Sequence, residues 1–428
     1  MGVPATTVGA GITATVLVGV VLVALSRSPY LLLHGRLHAE EGTSLFAHML
    51  AEPGPASLVF VPARTGYLIL FADGATWLAA HGPLGVAPLV TAWLSLGVLV
   101  TLVAIVLRWP SDLLTTVVAR LAAVALLVVG TGAVAEVWLT SINTTTFGII
   151  ALVLLFVRFD DLSRRQVAVA FALLALAGLS GIYAAALAPL FIVTALRARS
   201  RRRWSAAAIV SGAATIQVLL VLRADRSGTL ADARSASLSL DELVRSVGGL
   251  HLGGFAFGSR AIDQLGNAIE DRSVLAAVLV GVTVLVLGAV LVAIVWRAPD
   301  RRVPVLLVGA FVIIEAVVHV GSLTRGAPGR YAVVPVTIIT FLLLYGATAL
   351  TDRWVVRGAT ALLAVALVAG MVTFWTGEPK GLRCSGCPDW RADIEAWESG
   401  GSGEIRIWPY DGEVEWIVVI PEDRRPGR

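Results

Sequence analysis

Leu33–Leu50 reads LHGRLHAEEGTSLFAHML, and the rest of the chain is arranged around this run. It follows the first hydrophobic segment and sets His34, Arg36, His38, Glu40 and Glu41 into an otherwise apolar protein. Gly42-Thr43-Ser44 then makes a helix start, and Leu45, Phe46, Met49 and Leu50 fall on one face of the helix that follows. Two adjacent carboxylates just ahead of a short amphipathic helix feel its positive end, which favours the ionised form that a general base needs. The stretch therefore reads as an active-site loop at the outer membrane surface. The alternative is a charged loop that only anchors the first span.

Composition sets the class. Hydrophobic residues make up 57% of the 428 and charged residues 14%, mean hydropathy is +0.84, and many apolar runs approach bilayer-crossing length. The reading is an all-α polytopic membrane protein, not a soluble domain with a large core. The formal charge of +4 is carried by arginine with a single lysine, Lys380. That balance fits basic cytoplasmic loops and does not indicate nucleic acid as a partner. Neither a phosphate-cradling glycine loop of the Walker type nor a dinucleotide fingerprint occurs in the sequence.

The first span is Val8–Leu25, retained as a membrane helix with its N-terminus in the cytoplasm, because the segment before it lacks a basic region and Ala24-Leu25-Ser26 is a poor cleavage signal. Further spans are expected at about 85–107, 113–133, 143–158, 166–179, 181–196, 204–222, 273–296, 303–321, 331–350 and 355–375. Arg108, Arg158, Arg164-Arg165, Arg197–Arg203, Arg297, Arg301-Arg302, Arg353 and Arg357 then share one side, the cytoplasm. The expectation is thus about eleven spans over residues 1–375 in a cell (plasma or inner) membrane, with loops 26–84 and 223–272 facing outward. Gly66–Ala80, apolar but short, is expected to lie in the interface. Within 223–272, Leu238–Val247 reads as a short amphipathic helix, and the glycine-rich run GGLHLGGFAFG from Gly248 to Gly258 as flexible or as dipping into the membrane.

Residues 376–428 are expected to form a small extracytoplasmic C-terminal cap. Ile405–Pro409 and Val414–Ile420 read as strands flanking Asp411-Gly412, a hairpin signal. Cys384 and Cys387, the only cysteines, lie in this tail. The tail has no histidine, so a four-ligand zinc site lacks ligands, and a redox motif lacks its βαβ setting. A local disulfide is the expected pairing.

Together these features resemble the GT-C class of glycosyltransferases, which includes protein O-mannosyltransferases and the lipid A aminoarabinose transferase. The shared features are a first outer loop with paired acids, interfacial helices, many short spans and an outer C-terminal extension. The resemblance implies a polyprenyl-phosphate sugar as donor, a glycan, lipid or protein hydroxyl as acceptor, and a first-loop acidic pair, usually Asp-Glu, whose first member is the base. Here the pair is Glu40-Glu41, preceded by His38; Glu-Glu in place of Asp-Glu leaves open which carboxylate is the base. Gly329-Arg330-Tyr331 with Pro335 is similar to a later Arg-Tyr element of the class.

Such a reaction needs a carboxylate to take the acceptor proton and a cation to hold the departing phosphate. Arg330 and Arg325 sit on the expected outer side; the alternative for both is an interfacial anchor, which is the better reading of Arg325. A divalent metal could assist through His34, His38, Glu40 and Glu41, but their spacing matches no specific metal motif. Glu315 and His319 lie four apart within a span, so they either line the chamber or pair with another helix. Glu136 is placed at the chamber and Asn143 in a solvated turn. The alternative function is a non-catalytic or proton-coupled transport protein for lipid-linked sugars, with Glu315 and His319 as the proton relay.

Overall fold

A long apolar sequence can satisfy its own backbone within lipid as helix or as a closed β-barrel, and the computed structural model of this chain is mostly helical. It describes residues 8–426 apart from 64, 133, 135, 158, 228–243, 258–273, 322–328, 377–386 and 410–415. Helix α1 (Ala10–Arg27) leads into the short α2 (Pro29–His34), whose proline occupies the first turn, where no amide is needed. A π-helical turn, Glu41–Phe46, continues into α3 (Ala47–Ala51). Leu45, Phe46, Met49 and Leu50 are all buried there, as their spacing predicts.

Helix α4 (Leu70–His81) has 12 residues and buries Ala72, Asp73, Ala75, Thr76, Ala79 and Ala80. At ~1.5 Å per residue it is too short to cross a bilayer. It packs on α5 (Ala87–Arg108) and on the π-helical turn. Then follow α6 (Val117–Gly132), α7 (Thr145–Val157), α8 (Arg164–Gly178), α9 (Tyr183–Ala198) and α10 (Arg201–Arg226). Ser163 and Gln166 cap α8 reciprocally, and Ser200 caps α10.

A second π-helical stretch, Val244–Gly253, and the short α11 (Gly254–Phe257) come next. They pack against α12 (Val274–Arg297) and α15 (Arg353–Thr376), with His251 and Phe255 buried. The glycine-rich run is therefore interior structure. The expected helix at Leu238–Val247 begins outside the described residues, and its last residues are part of this π-helical stretch. Between α12 and α15 lie α13 (Arg302–Gly321) and α14 (Val333–Ala349), the latter buried along most of its length.

Among the described residues, six helical segments are long and apolar enough to cross a membrane: Ala10–Arg27, Leu84–Arg108, Arg201–Arg226, Val278–Arg297, Arg330–Ala349 and Arg353–Trp375. Val117–Gly130, Ile142–Leu155 and Ala185–Ala198 are apolar but shorter. Small residues let these helices approach closely: Gly346 lies against Ile294 and Ala359, and Gly370 against Val129.

Hydrogen bonds gather the helix termini into two sets. In one, the Val8 amide at the start of α1 donates to Leu107 at the end of α5, and buried Arg120 donates to the carbonyls of Val106 and Trp109. Separately, Arg203 pairs with Asp160, and the Tyr345 hydroxyl donates to the Asp300 carbonyl. The other set holds the end of α1, where Arg27 donates to Phe374 O across 3.0 Å and lies over the rings of Trp138 and Phe374. Arg108 also belongs to the first set, donating to the Val8 carbonyl, and the loop 35–46 joins the second through Arg36 and Trp138.

The C-terminal segment adds α16 (Trp390–Glu398), capped by Asp389, with Trp390, Ile394 and Trp397 buried at helical spacing. Strands β1 (Glu404–Arg406) and β2 (Ile417–Val419) pair antiparallel, Ile405 opposite Val418. The expected hairpin is thus present in shorter form, and Asp411-Gly412 lies outside the described residues. Cys387 is disulfide-bonded, while Cys384 lies outside the described residues.

Candidate functional site

Residues 35–41 leave α2 through Gly35, whose φ of +73° and close seat on Pro88 and Leu89 leave no room for a Cβ. Ala39 takes φ 47°, a left-handed conformation that costs a non-glycine residue ~1–2 kcal/mol. Leu139, in the facing loop between α6 and α7, does the same at φ 55°. Strain of this kind persists where surrounding contacts over-determine the backbone, and one carboxylate ties the two loops together. Glu41 Oε1 accepts from the Ser141 amide at 2.7 Å and from its hydroxyl at 2.5 Å, while Oε2 accepts from the His38 amide at 3.2 Å. Arg36 adds a bond to the Trp138 carbonyl at 3.1 Å.

Glu41 and Arg36 are buried. Burial raises the Glu41 pKa, opposed by its bonds to Ser141 and His38 and by the charge of Arg36. Burial lowers Arg36 to about 10, opposed by Glu41 and Glu136, so it stays charged at neutral pH. His38 is held well below the ordinary histidine value by burial and by Arg36 and Arg330, so its ring is neutral. Glu41 is therefore a joint between two loops, sealed from solvent.

Glu40 faces the other way, into a cavity of about 720 Å³, within the ~300–1,000 Å³ usual for small-molecule sites. Thr65, Tyr67 and Ile69 form one side, joined by Val218, Val221, Leu222 and Asp225 of α10. Gln217 bolts these together: its side chain accepts from Leu68 N and donates to Leu68 O, both at 3.0 Å. Ile142, Asn143, Thr145 and Thr146 at the start of α7 form another side, with Tyr183 at the start of α9. Arg330, Tyr331 and Val334 close it beside Ile314, Val317 and Val318 of α13.

The lining thus joins one cation, Arg330, to two carboxylates, Glu40 and Asp225, and three tyrosines, with aliphatic side chains between them. Arg330 lies 3.8 Å from Glu136, sits over the Tyr331 ring at 5.1 Å and feels the charge of Glu40. The Asn143 amide donates to the Glu136 carbonyl at 2.7 Å and is buried, so the solvated turn expected at Asn143 is corrected. The residue is held by the loop that Glu41 anchors.

The structure sorts the sequence-predicted residues into three groups. Glu40, Arg330 and Tyr331 share the cavity, and Glu136 braces it through Arg330. Glu41 and His38 lie behind it. Glu315 pairs with His251, Nδ1 to Oε1 2.6 Å, on a buried contact between α13 and the second π-helical stretch. Glu315 is flanked by Ile314 and Ala316, which line the cavity. Arg325 and the His319 side chain lie outside the described residues.

His34 stacks on Tyr30 and lines a separate small groove with Arg36 and Arg406, so His34, His38, Glu40 and Glu41 do not converge on a point. Among the described residues no group of three or more His, Cys, Asp or Glu side chains could hold a metal ion. Sequence reasoning passed over Tyr67, Asp225 and His251. The lone histidine in GGLHLGG carried a usable signal, because a buried ionisable group needs a partner, and Glu315 is the acid that supplies it. Comparison of the chain with protein families, with curated proteins and with solved structures finds no match.

Proposed function

We propose that this chain is a membrane glycosyltransferase of GT-C-like architecture that moves a sugar from a polyprenyl-phosphate donor to an acceptor hydroxyl. On this reading α1, α5–α10 and α12–α15 make eleven crossings of a cell membrane, short ones included. The arginine-rich ends face the cytoplasm with the N-terminus, and the cavity and the C-terminal segment face outward. The observation that carries the reading is the shared cavity of Glu40 and Arg330, a carboxylate and a cation set among tyrosines and aliphatic walls. An amphiphile with an anionic head and a hydroxylated ring suits that lining.

The acceptor oxygen attacks the anomeric carbon as the bond from that carbon to the phosphate oxygen breaks. The hydroxyl proton passes to Glu40, and polyprenyl phosphate leaves with the bonding pair. A positioned general base supplies ~10²–10⁴-fold. Arg330 holds the phosphate oxygens as their charge grows. Incubating the purified protein with a short-chain polyprenyl-phosphate sugar in detergent tests the proposal: donor consumption with release of polyprenyl phosphate supports it, and an intact donor with every acceptor class contradicts it.

The His251–Glu315 pair beside the cavity wall favours a second reading, a proton-coupled transporter of lipid-linked sugars. Such a protein moves substrate across vesicles only with a proton gradient and breaks no bond. An enzyme consumes donor in detergent, where no gradient exists.

A further inference from the structure

We propose that the described C-terminal residues, 387–409 and 416–426, are a positioning element of the cavity, which sets the place of Glu40 through Ile407 and Trp408. The inference rests on Glu40 acting in the cavity and adds the part of the chain that holds it there.

Three observations converge on the residues beside Glu40. The Trp408 amide donates to Leu37 O at 3.2 Å, and the Ala39 amide donates to Trp408 O at 2.5 Å, so one residue of the C-terminal segment pins the backbone on both sides of His38. Ala39, the residue so held, is in the left-handed conformation that turns the chain into Glu40. Gly42, two residues beyond Glu40, is seated on Ile407 and Val418. A Cβ there would collide with Ile407 Cδ1 and approach Leu37 Cβ and Val418 Cγ2 to 3.2 Å.

These contacts belong to one apolar core. Phe46 and Met49 of the first loop pack with Ile394, Trp397, Ile407 and Val418. The Trp390 indole also donates to Leu84 O at 2.6 Å. A loop with strained backbone is thus braced by Glu41 from the α6–α7 side and by Trp408 from the C-terminal side. Glu40 stands between the two braces. Its side chain is free to face the cavity while its backbone is fixed, which is the condition a general base needs.

The test uses the full chain and a steric pair. Gly42→Ala places a methyl against Ile407 Cδ1, and Ile407→Val removes that atom. In the parental background, Gly42→Ala is expected to lower turnover about tenfold, since misplacement of a reacting group by about 1 Å can cost ~10²-fold, with donor KM and unfolding temperature near parental. Adding Ile407→Val is expected to restore most of the turnover. In a Glu40→Cys background, the rate of thiol modification by a small charged methanethiosulfonate reagent is expected to change with Gly42→Ala and to return with Ile407→Val. Unchanged turnover and unchanged thiol reactivity in Gly42→Ala overturn the inference, as does failure of Ile407→Val to restore either.

Should Gly42→Ala fail to fold, Ile407→Ala alone opens the same contact and is expected to speed modification of the Glu40→Cys thiol; an unaltered rate overturns the inference. A parental protein that transfers no sugar removes the catalytic reading, whereas the thiol rates still decide whether the C-terminal segment sets the position of residue 40 through Ile407.

Discussion

Glu40 and Glu41 are consecutive in sequence, yet they belong to two regions that obey opposite rules. The cavity region keeps Glu40, Asp225 and Arg330 within reach of a ligand and leaves the aliphatic walls between them uncovered. The region behind it leaves nothing open: Glu41 is wholly buried and accepts three hydrogen bonds, and Arg36 reaches across to the Trp138 carbonyl. One region is arranged to exchange partners and the other to keep them. The lesson is that adjacent like residues divide labour when consecutive helical positions, ~100° apart, meet different surroundings.

The comparison breaks most easily at the joint. Glu41→Ala strips acceptors from the Ser141 and His38 amides and leaves Arg36 without its neighbouring buried charge. Each buried donor left unsatisfied costs ~1–3 kcal/mol, so denaturant unfolding should show a loss of at least that size. A loss below about 1 kcal/mol, typical of surface changes, would return Glu41 to the cavity. Arg330→Ala should act on binding instead. A hydrogen bond to a charged group is worth ~1.5–3 kcal/mol, so affinity for a short-chain isoprenyl phosphate, measured by calorimetry, should fall about tenfold or more, with stability near parental.

Asp73 sharpens the contrast from a third position. It is buried on α4, neither carboxylate oxygen has a hydrogen bond of ordinary geometry among the described residues, and burial raises its pKa to about 8 against partial help from the Ile69 amide. The folded state therefore keeps a proton that the unfolded state gives up above its ordinary value of 3.8. Stability from this group accordingly falls as pH rises from about 4 to about 8 and levels off beyond. Asp73→Asn should remove that slope and stabilise the protein at pH 8 by ~1–3 kcal/mol, as thermal unfolding across pH will show. The smallest effect is expected at Glu136, whose pairing with Arg330 at 3.8 Å is partly exposed. Glu136→Gln should shift stability by less than ~1 kcal/mol, and a larger loss would make this pair part of the joint.

Much of the helical plan was legible because span-length apolar runs and arginine-rich turns are local signals. Ala10–Arg27 and Arg353–Thr376 fall within a few residues of their expected places. Leu45, Phe46, Met49 and Leu50 were readable as one buried face for the same reason. The division between Glu40 and Glu41 was not legible, since it depends on Ser141, 100 residues away, and on a left-handed Ala39 that no residue preference marks. The His251–Glu315 pair spans 64 residues and a stretch whose glycines read as flexible. Nor did the sequence tell that Trp408 would reach back to Leu37 and Ala39.

The central claim is that Glu40, not Glu41, meets the substrate. Glu40→Gln keeps the size and most of the hydrogen bonding of the side chain while removing its capacity to take a proton. Single-turnover transfer from a polyprenyl-phosphate sugar should fall by ~10²-fold or more, with donor affinity and unfolding midpoint unchanged. A folded Glu40→Gln protein that transfers sugar at the parental rate would contradict the account.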